Sequence, residues 1–195
     1  MLRPSIVVGE RETGWTQSFN VLYWPMRAAE RGLLPKVPAH PGSIVDYVPV
    51  DYVAEGILAL LEDPAASGTY HLVAGAQALT AGELIELHAS LVERPPVRIS
   101  GRKTEGRLPP GAEAYLPYFD VKGGFDNARA RPLLERAGVE HPDPRTYLGR
   151  LLDYAHATRW GKQPLSRRAA MLRAGEARGS QPRSTPSAST ASAAL

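Results

Sequence analysis

Few residues in this chain are of a type and spacing that do chemistry unaided. The five histidines, His40, His71, His88, His141 and His156, show no i, i+4 or other ligand pairing of the kind a zinc site uses. His71 falls in a predicted strand and reads as a core or pocket histidine. There is no cysteine, which excludes disulfides and thiolate chemistry, and no G-x-S-x-G elbow to expose a nucleophilic serine. A dinucleotide pyrophosphate needs closely spaced glycines so that backbone and helix N-terminus can approach it; Gly101, Gly106 and Gly111 are too widely spaced for that. What remains is a run of aromatics, Trp15, Phe19, Tyr23 and Trp24. A groove built from such side chains suits a fatty chain, although aromatics at helical spacing more often serve as plain core.

These residues depend on the elements around them. Leu2–Val8 is a short β-branched run, the pattern of a strand buried on both faces of a parallel sheet. Residues 9–16 are polar, hold two glycines and read as a loop. From Gln17 to Arg31 the apolar positions suit a helix that Pro25 must kink or restart, since proline has no N–H to donate. Pro35, Pro38 and Pro41 rule out regular structure over 33–43. Ile44–Val50 is a second strand, and Asp51 sits where an N-cap would, opening a helix that ends near Asp63-Pro64. A third strand lies between Gly68 and Gly75. Thr80-Ala81-Gly82-Glu83 is a capping box for a helix to Val92. Pro95–Ser100 reads as an edge strand, and 101–124 as a long loop rich in Gly, Pro and charge. Asp126 begins a helical pattern interrupted at Pro132 and closed by Gly138. Asp143-Pro144 opens a helix to about Trp160 with an apolar face of Tyr147, Leu148, Leu151, Leu152 and Ala155.

The chain has 195 residues, 43% hydrophobic and 22% charged, enough for one domain with a core. Its apolar N-terminal run stops at Gly9, too short for a signal peptide, and no window is long and apolar enough to span a bilayer. With no cysteine, this composition fits a cytoplasmic protein. Basic charge gathers at the end: residues 162–195 carry six Lys/Arg against Glu176 alone. That stretch, and not the nearly neutral body, sets the pI near 9.3. A basic tail can meet nucleic acid or anionic lipid. Lys162–Arg183 lacks interleaved aromatics, so a solvated appendage is the favoured reading and nucleic acid a weaker one. From Gly179 the composition is nearly all Ser, Thr, Ala, Pro and Gln, predicted to be disordered. The expected organisation is a domain over 1–161 and a linker-like, largely disordered tail over 162–195.

Arg3-Pro4-Ser5-Ile6-Val7-Val8-Gly9, Val48-Pro49-Val50-Asp51-Tyr52-Val53, Tyr118-Phe119-Asp120 with Phe125-Asp126, and Tyr147 through Trp160 occur in a telling order. In that order the chain resembles the C-terminal half of an extended short-chain dehydrogenase/reductase, in the branch of fatty acyl-CoA and thioester reductases. The resemblance implies an α/β fold with an incomplete Rossmann-like parallel sheet and a mostly helical C-terminal substrate region. It implies that Arg3, Pro4, Ser5 and Ile6 lie against the nicotinamide end of NADP or NAD. It also implies that Trp15, Phe19, Tyr23 and Asp46 belong to the acyl site. The family's catalytic Tyr-x-x-x-Lys pair has one literal match, Tyr118 to Lys122. It lies downstream of the substrate segments, between Pro117 and Gly123-Gly124, where a helix is disfavoured, and is rejected. The glycine-rich turn and catalytic pair are therefore expected before Met1, and the first strand is expected to want a further strand against its edge. This points to a reductase fragment inactive alone. The alternative is a non-catalytic subunit that completes its sheet with a separate cofactor-binding partner or binds an acyl chain.

Overall fold

The N-terminal β-branched run does form strand, in two short pieces that serve different neighbours. In this computed structural model the described residues are 1–19, 21–101, 117–118 and 121–179. Strand β1 (Leu2–Pro4) pairs in parallel with β6 (Tyr70–Leu72), and β2 (Ile6–Val8) in parallel with β5 (Tyr47–Pro49). The change of partner falls at Ser5: its amide donates to Leu72 O, whereas the Ile6 amide donates to Asp46 O, each at 3.3 Å. Consecutive residues of a strand point their amides to opposite sides, so one residue suffices for the handover. Among the described residues β1 pairs only with β6, and β2 only with β5.

Two further short pairs depart from the sequence reading. Strand β3 (Lys36–Val37) lies parallel to β8 (Arg98–Ile99), so the proline-rich 33–43 stretch is not wholly irregular. Strand β4 (Ile44–Val45) runs antiparallel to β7 (Leu79–Thr80). The predicted second strand is thus broken at Asp46, one half pairing with β7 and the other, β5, with β2.

Helix α1 (Tyr23–Glu30) is shorter than predicted. Pro25 stands in its first turn, where a backbone N–H has no intrahelical acceptor, so it marks a start and not a kink. Helix α2 (Val50–Glu62) begins two residues earlier than expected. Pro49, with φ −68° and ψ 148°, occupies the N-cap position, and the N-cap reading of Asp51 is corrected: Asp51 is inside the first turn. There its charge faces the positive end of the helix. Helix α3 (Ala81–Leu91) has the predicted capping box, with Thr80 Oγ1 accepting the Glu83 amide at 3.2 Å and Glu83 Oε2 accepting the Thr80 amide at 2.8 Å. Helix α4 (Arg131–Arg136) holds Pro132 in its first turn, so that proline does not interrupt it. Helix α5 (Pro144–Ala157) opens as predicted, Asp143 accepting the Arg145 amide at 2.9 Å. It ends before Trp160 because Arg159 and Trp160 take left-handed backbone, φ 51° and 58°.

Helix α6 (Arg167–Gly179) replaces the linker-like chain expected after residue 161. Its Ala170 is buried and its Arg167 pairs with buried Glu10, so tertiary contacts hold what composition alone disfavours. Residues 180–195, and most of the predicted 101–124 loop with Gly106, Gly111, Phe119 and Asp120, lie outside the described residues.

The strands separate two cores. Side chains alternate across a strand, so Tyr47 joins the cluster of α1, α3 and α5, with Leu22, Leu84, Leu148 and Leu151. Val48 instead joins that of α2 and α4, with Tyr52, Leu60, Leu72 and Leu134. Burial of each such side chain stabilises the fold by about 1.5–3 kcal/mol. No helix among the described residues is long and apolar enough to cross a membrane.

Candidate functional site

Strand β2 delivers the chain to Gly9, and the loop from there to Thr16 is tethered to α2, α5 and α6. A Cβ at Gly9 would overlap the Gly14 carbonyl, and one at Gly14, where φ is 68°, would overlap the Arg150 carbonyl of α5. Two glycines thereby let the loop lie flat on α5. Within the loop the Glu10 amide donates to Trp15 O at 3.0 Å and the Gly14 amide to Glu10 O at 2.9 Å. From α2, Asp51 accepts the Arg11 amide at 3.2 Å and the Arg11 guanidinium at 3.0 Å, and Glu55 accepts the guanidinium at 2.7 Å. Burial works against the charge on Arg11, but the two carboxylates outweigh it and the guanidinium holds its proton more tightly than usual. Arg150 of α5 reaches Glu12 at 2.8 Å. Buried Glu10 accepts from the Thr13 hydroxyl at 2.6 Å and pairs with Arg167 of α6.

A buried tyrosine closes the near end. The Gly9 amide donates to Tyr23 Oη at 3.0 Å, and burial pushes the Tyr23 phenol above its ordinary range. Phe19 meets Tyr23 edge-on at 5.0 Å and stacks on Tyr154 at 6.1 Å, with Trp160 at 6.3 Å. Trp15 Nε1 donates to Leu165 O at 3.2 Å, just before α6. Phe19 and Tyr23 thus pack with Tyr154 and Trp160 in an aromatic cluster, while Trp15 ties the loop to the chain entering α6. Two openings lie beside it. One, of about 390 Å³, is polar and lies between the loop, α5 and α6, lined by Glu12, Arg150, Asp153 and Arg173 among others. The other, of about 40 Å³, is an apolar slot between α1 and α3 lined by Leu22, Met26, Leu84 and Ile85, with His88 at its wall. Trp15, Phe19 and Tyr23 line neither.

Asp46 is buried at the break between β4 and β5. Its Oδ1 accepts the Ala74 amide at 2.9 Å and its Oδ2 the Gly75 amide at 3.1 Å. Both oxygens therefore hold the turn after β6. Tyr52 Oη is pushed up to about 12, first by burial and then by the Asp46 charge. Tyr52 Oη and Ser5 Oγ are buried with no hydrogen-bond partner among the described residues. The sequence reading had no signal for these orphan hydroxyls, because each is defined by distant chain. Of the four residues in the Arg3–Ile6 segment, Arg3 and Pro4 are exposed and Ser5 and Ile6 are partly buried. The Ser5 and Ile6 amides are spent in the sheet, which leaves the Ser5 hydroxyl as the polar group there with unfilled capacity.

Residues 1–57 match the model of an NAD-binding family described as male sterility protein. In fold, the chain is similar to the terminal R domain from the myxalamid PKS-NRPS biosynthetic pathway, at 21% identity and a TM-score of 0.60 over 84% of this chain and 45% of that one. The likeness is one of fold, a Rossmann-like α/β arrangement. UDP-glucuronic acid 4-epimerase from Bacillus cereus, solved with UDP-glucuronic acid and NAD, shares it at 14% identity and a TM-score of 0.54, over 80% of this chain and 44% of that one. UDP-glucose 4-epimerase from Thermotoga maritima does so at 19% and 0.52, over 80% and 45%. The chain therefore spans a little under half the length of the solved structures it matches. No curated protein matches it.

Proposed function

We propose that this chain is the substrate-side part of an NAD(P)-dependent reductase of fatty acyl thioesters or aldehydes, contributing the C-terminal half of the domain. One observation carries the reading. Within the stretch that matches an NAD-binding family, the Arg3–Ile6 segment holds a buried hydroxyl, Ser5 Oγ, with no partner among the described residues. A buried unsatisfied polar group costs about 1–3 kcal/mol, and a nicotinamide carboxamide offers both a donor and an acceptor to relieve it. The residues present therefore fit the nicotinamide end of NADP or NAD, and the bound cofactor would supply hydride to the substrate carbonyl. Gly9, fixed by Tyr23, sets where the chain turns away from that segment. By resemblance Trp15, Phe19 and Tyr23 would belong to the acyl site, where aromatic side chains suit an acyl chain once the missing part of the domain is in place. Asp46 serves this site by positioning, since its carboxylate locks the Ala74–Gly75 turn behind the strand.

The glycine-rich turn that holds a pyrophosphate and the Tyr-x-x-x-Lys pair that moves a proton would come from a dinucleotide-binding part, on the same polypeptide or a separate subunit. The test is NADPH oxidation in the presence of a long-chain acyl-CoA or aldehyde. The chain alone is expected to give none, and addition of a dinucleotide-binding partner domain is expected to restore it. Turnover by the purified chain alone contradicts the reading.

A further inference from the structure

A single carboxylate ties α1 to two other helices. Glu30, the last residue of α1, has a side chain 13% exposed. His88 of α3 brings Nε2 to 3.2 Å from Glu30 Oε1, and His156 in the last turn of α5 brings Nε2 to 3.0 Å and 2.9 Å from Oε1 and Oε2. Arg94, in the turn after α3, donates to the Glu30 carbonyl at 2.5 Å. Among the described residues the titratable groups paired with the carboxylate are therefore His88 from α3 and His156 from α5, while Arg94 sits on the backbone carbonyl of the same residue. The Trp160 ring stands edge-on to His156 at 5.6 Å. Helix α1 has only eight residues, walls the apolar slot with α3, and holds Gly9 through Tyr23.

The protonation states of this cluster are not equivalent. With both imidazoles neutral and their protons on Nε2, each donates to Glu30 and the carboxylate is satisfied. One charged imidazole gives an ion pair with the carboxylate that still holds α1, and of the two rings His156, 43% exposed, is the more open to water. With both imidazoles charged, two cations share one carboxylate, and His88, 10% exposed, has little water to screen it. Burial already holds the His88 imidazole below its ordinary value; Glu30 raises it and His156 lowers it further.

We propose that Glu30, His88 and His156 form a proton-sensitive latch, which keeps α1 on α3 and α5 while at most one imidazole is charged and releases it when both are. Release opens the slot between α1 and α3 and slackens the Gly9 tether. This inference is independent of the reductase reading. It is tested on the full chain by hydrogen exchange of the α1 amides, corrected for intrinsic rate, at neutral pH and at about pH 5, the lower end of the histidine range. Acidification should speed α1 exchange several-fold relative to α2. His88→Gln keeps an N–H donor for Glu30 and cannot charge, so it should keep α1 protected in acid. If His88→Gln does not fold, His156→Gln serves, because one imidazole cannot bring two protons. Unchanged α1 protection in the native chain overturns the latch. So does a loss shared equally with α2, or one that persists in the Gln variants.

Discussion

Tyr23 Oη accepts the Gly9 amide at 3.0 Å inside the protein, linking the first turn of α1 to the point where the chain leaves the sheet. The bond joins an element that walls an apolar slot to the loop beside the Arg3–Ile6 segment. Tyr23 is also packed edge-on against Phe19. Tyr23→Phe keeps that packing and orphans a buried amide. A loss of about 1–3 kcal/mol in unfolding free energy is expected, read by urea denaturation. An unchanged midpoint would show that the Gly9 amide finds another partner.

Gly14→Ala should be more damaging than its size implies. The φ of 68° disfavours any L side chain, and the new methyl would overlap the Arg150 carbonyl. The loop must leave α5, breaking the Arg150–Glu12 pair as it goes. Limited proteolysis between Glu10 and Thr16 is the readout. A variant as resistant as the parent contradicts the close approach.

Asp46→Asn changes one acceptor oxygen for a donor that faces a backbone N–H. Because both oxygens are occupied, by Ala74 and Gly75, no flip of the amide rescues it. Destabilisation of about 2–3 kcal/mol is expected, with the affinity for an acyl ligand falling only in step with the unfolded fraction. A selective loss of acyl binding in a variant of undiminished stability would instead put Asp46 in contact with the ligand.

Stability should also depend on pH through His88. Its imidazole is held below 6.5 in the folded protein, chiefly by burial, so the unfolded chain takes the proton first as pH falls. The contribution is complete above pH 6.5 and is lost as pH drops through the lowered folded value. Urea midpoints measured across that window should fall in the native chain and fall less in His88→Gln. Parallel curves would remove His88 from the account.

What the sequence made legible was local. The Thr80–Glu83 capping box and the Asp143-Pro144 helix start each satisfy backbone groups within one turn, so residue types and spacing suffice to read them. Asp51 misled because an aspartate after a strand fits the N-cap pattern, yet Pro49 already has the extended backbone that the position needs. The strand β3 was hidden because two residues in a proline-rich stretch make a strand only when β8 is brought beside them. Helix α6 was hidden because its small residues look like linker until Ala170 is seen buried and Arg167 is seen on Glu10. The histidine cluster was invisible for the same reason: Glu30 is 58 residues from His88 and 126 from His156. For the site, Phe19 packs on Tyr23, whose hydroxyl takes the Gly9 amide, and the orphan Ser5 hydroxyl emerged only from the sheet pairing around it.

The most direct test of the reductase reading is an amide NMR titration of the purified chain with NADPH, followed to millimolar cofactor. The expected result is a set of shifts centred on Ser5, Ile6 and Gly9, diminished in Ser5→Ala. No shift in that segment, or shifts confined to other parts of the chain, would contradict a nicotinamide site there.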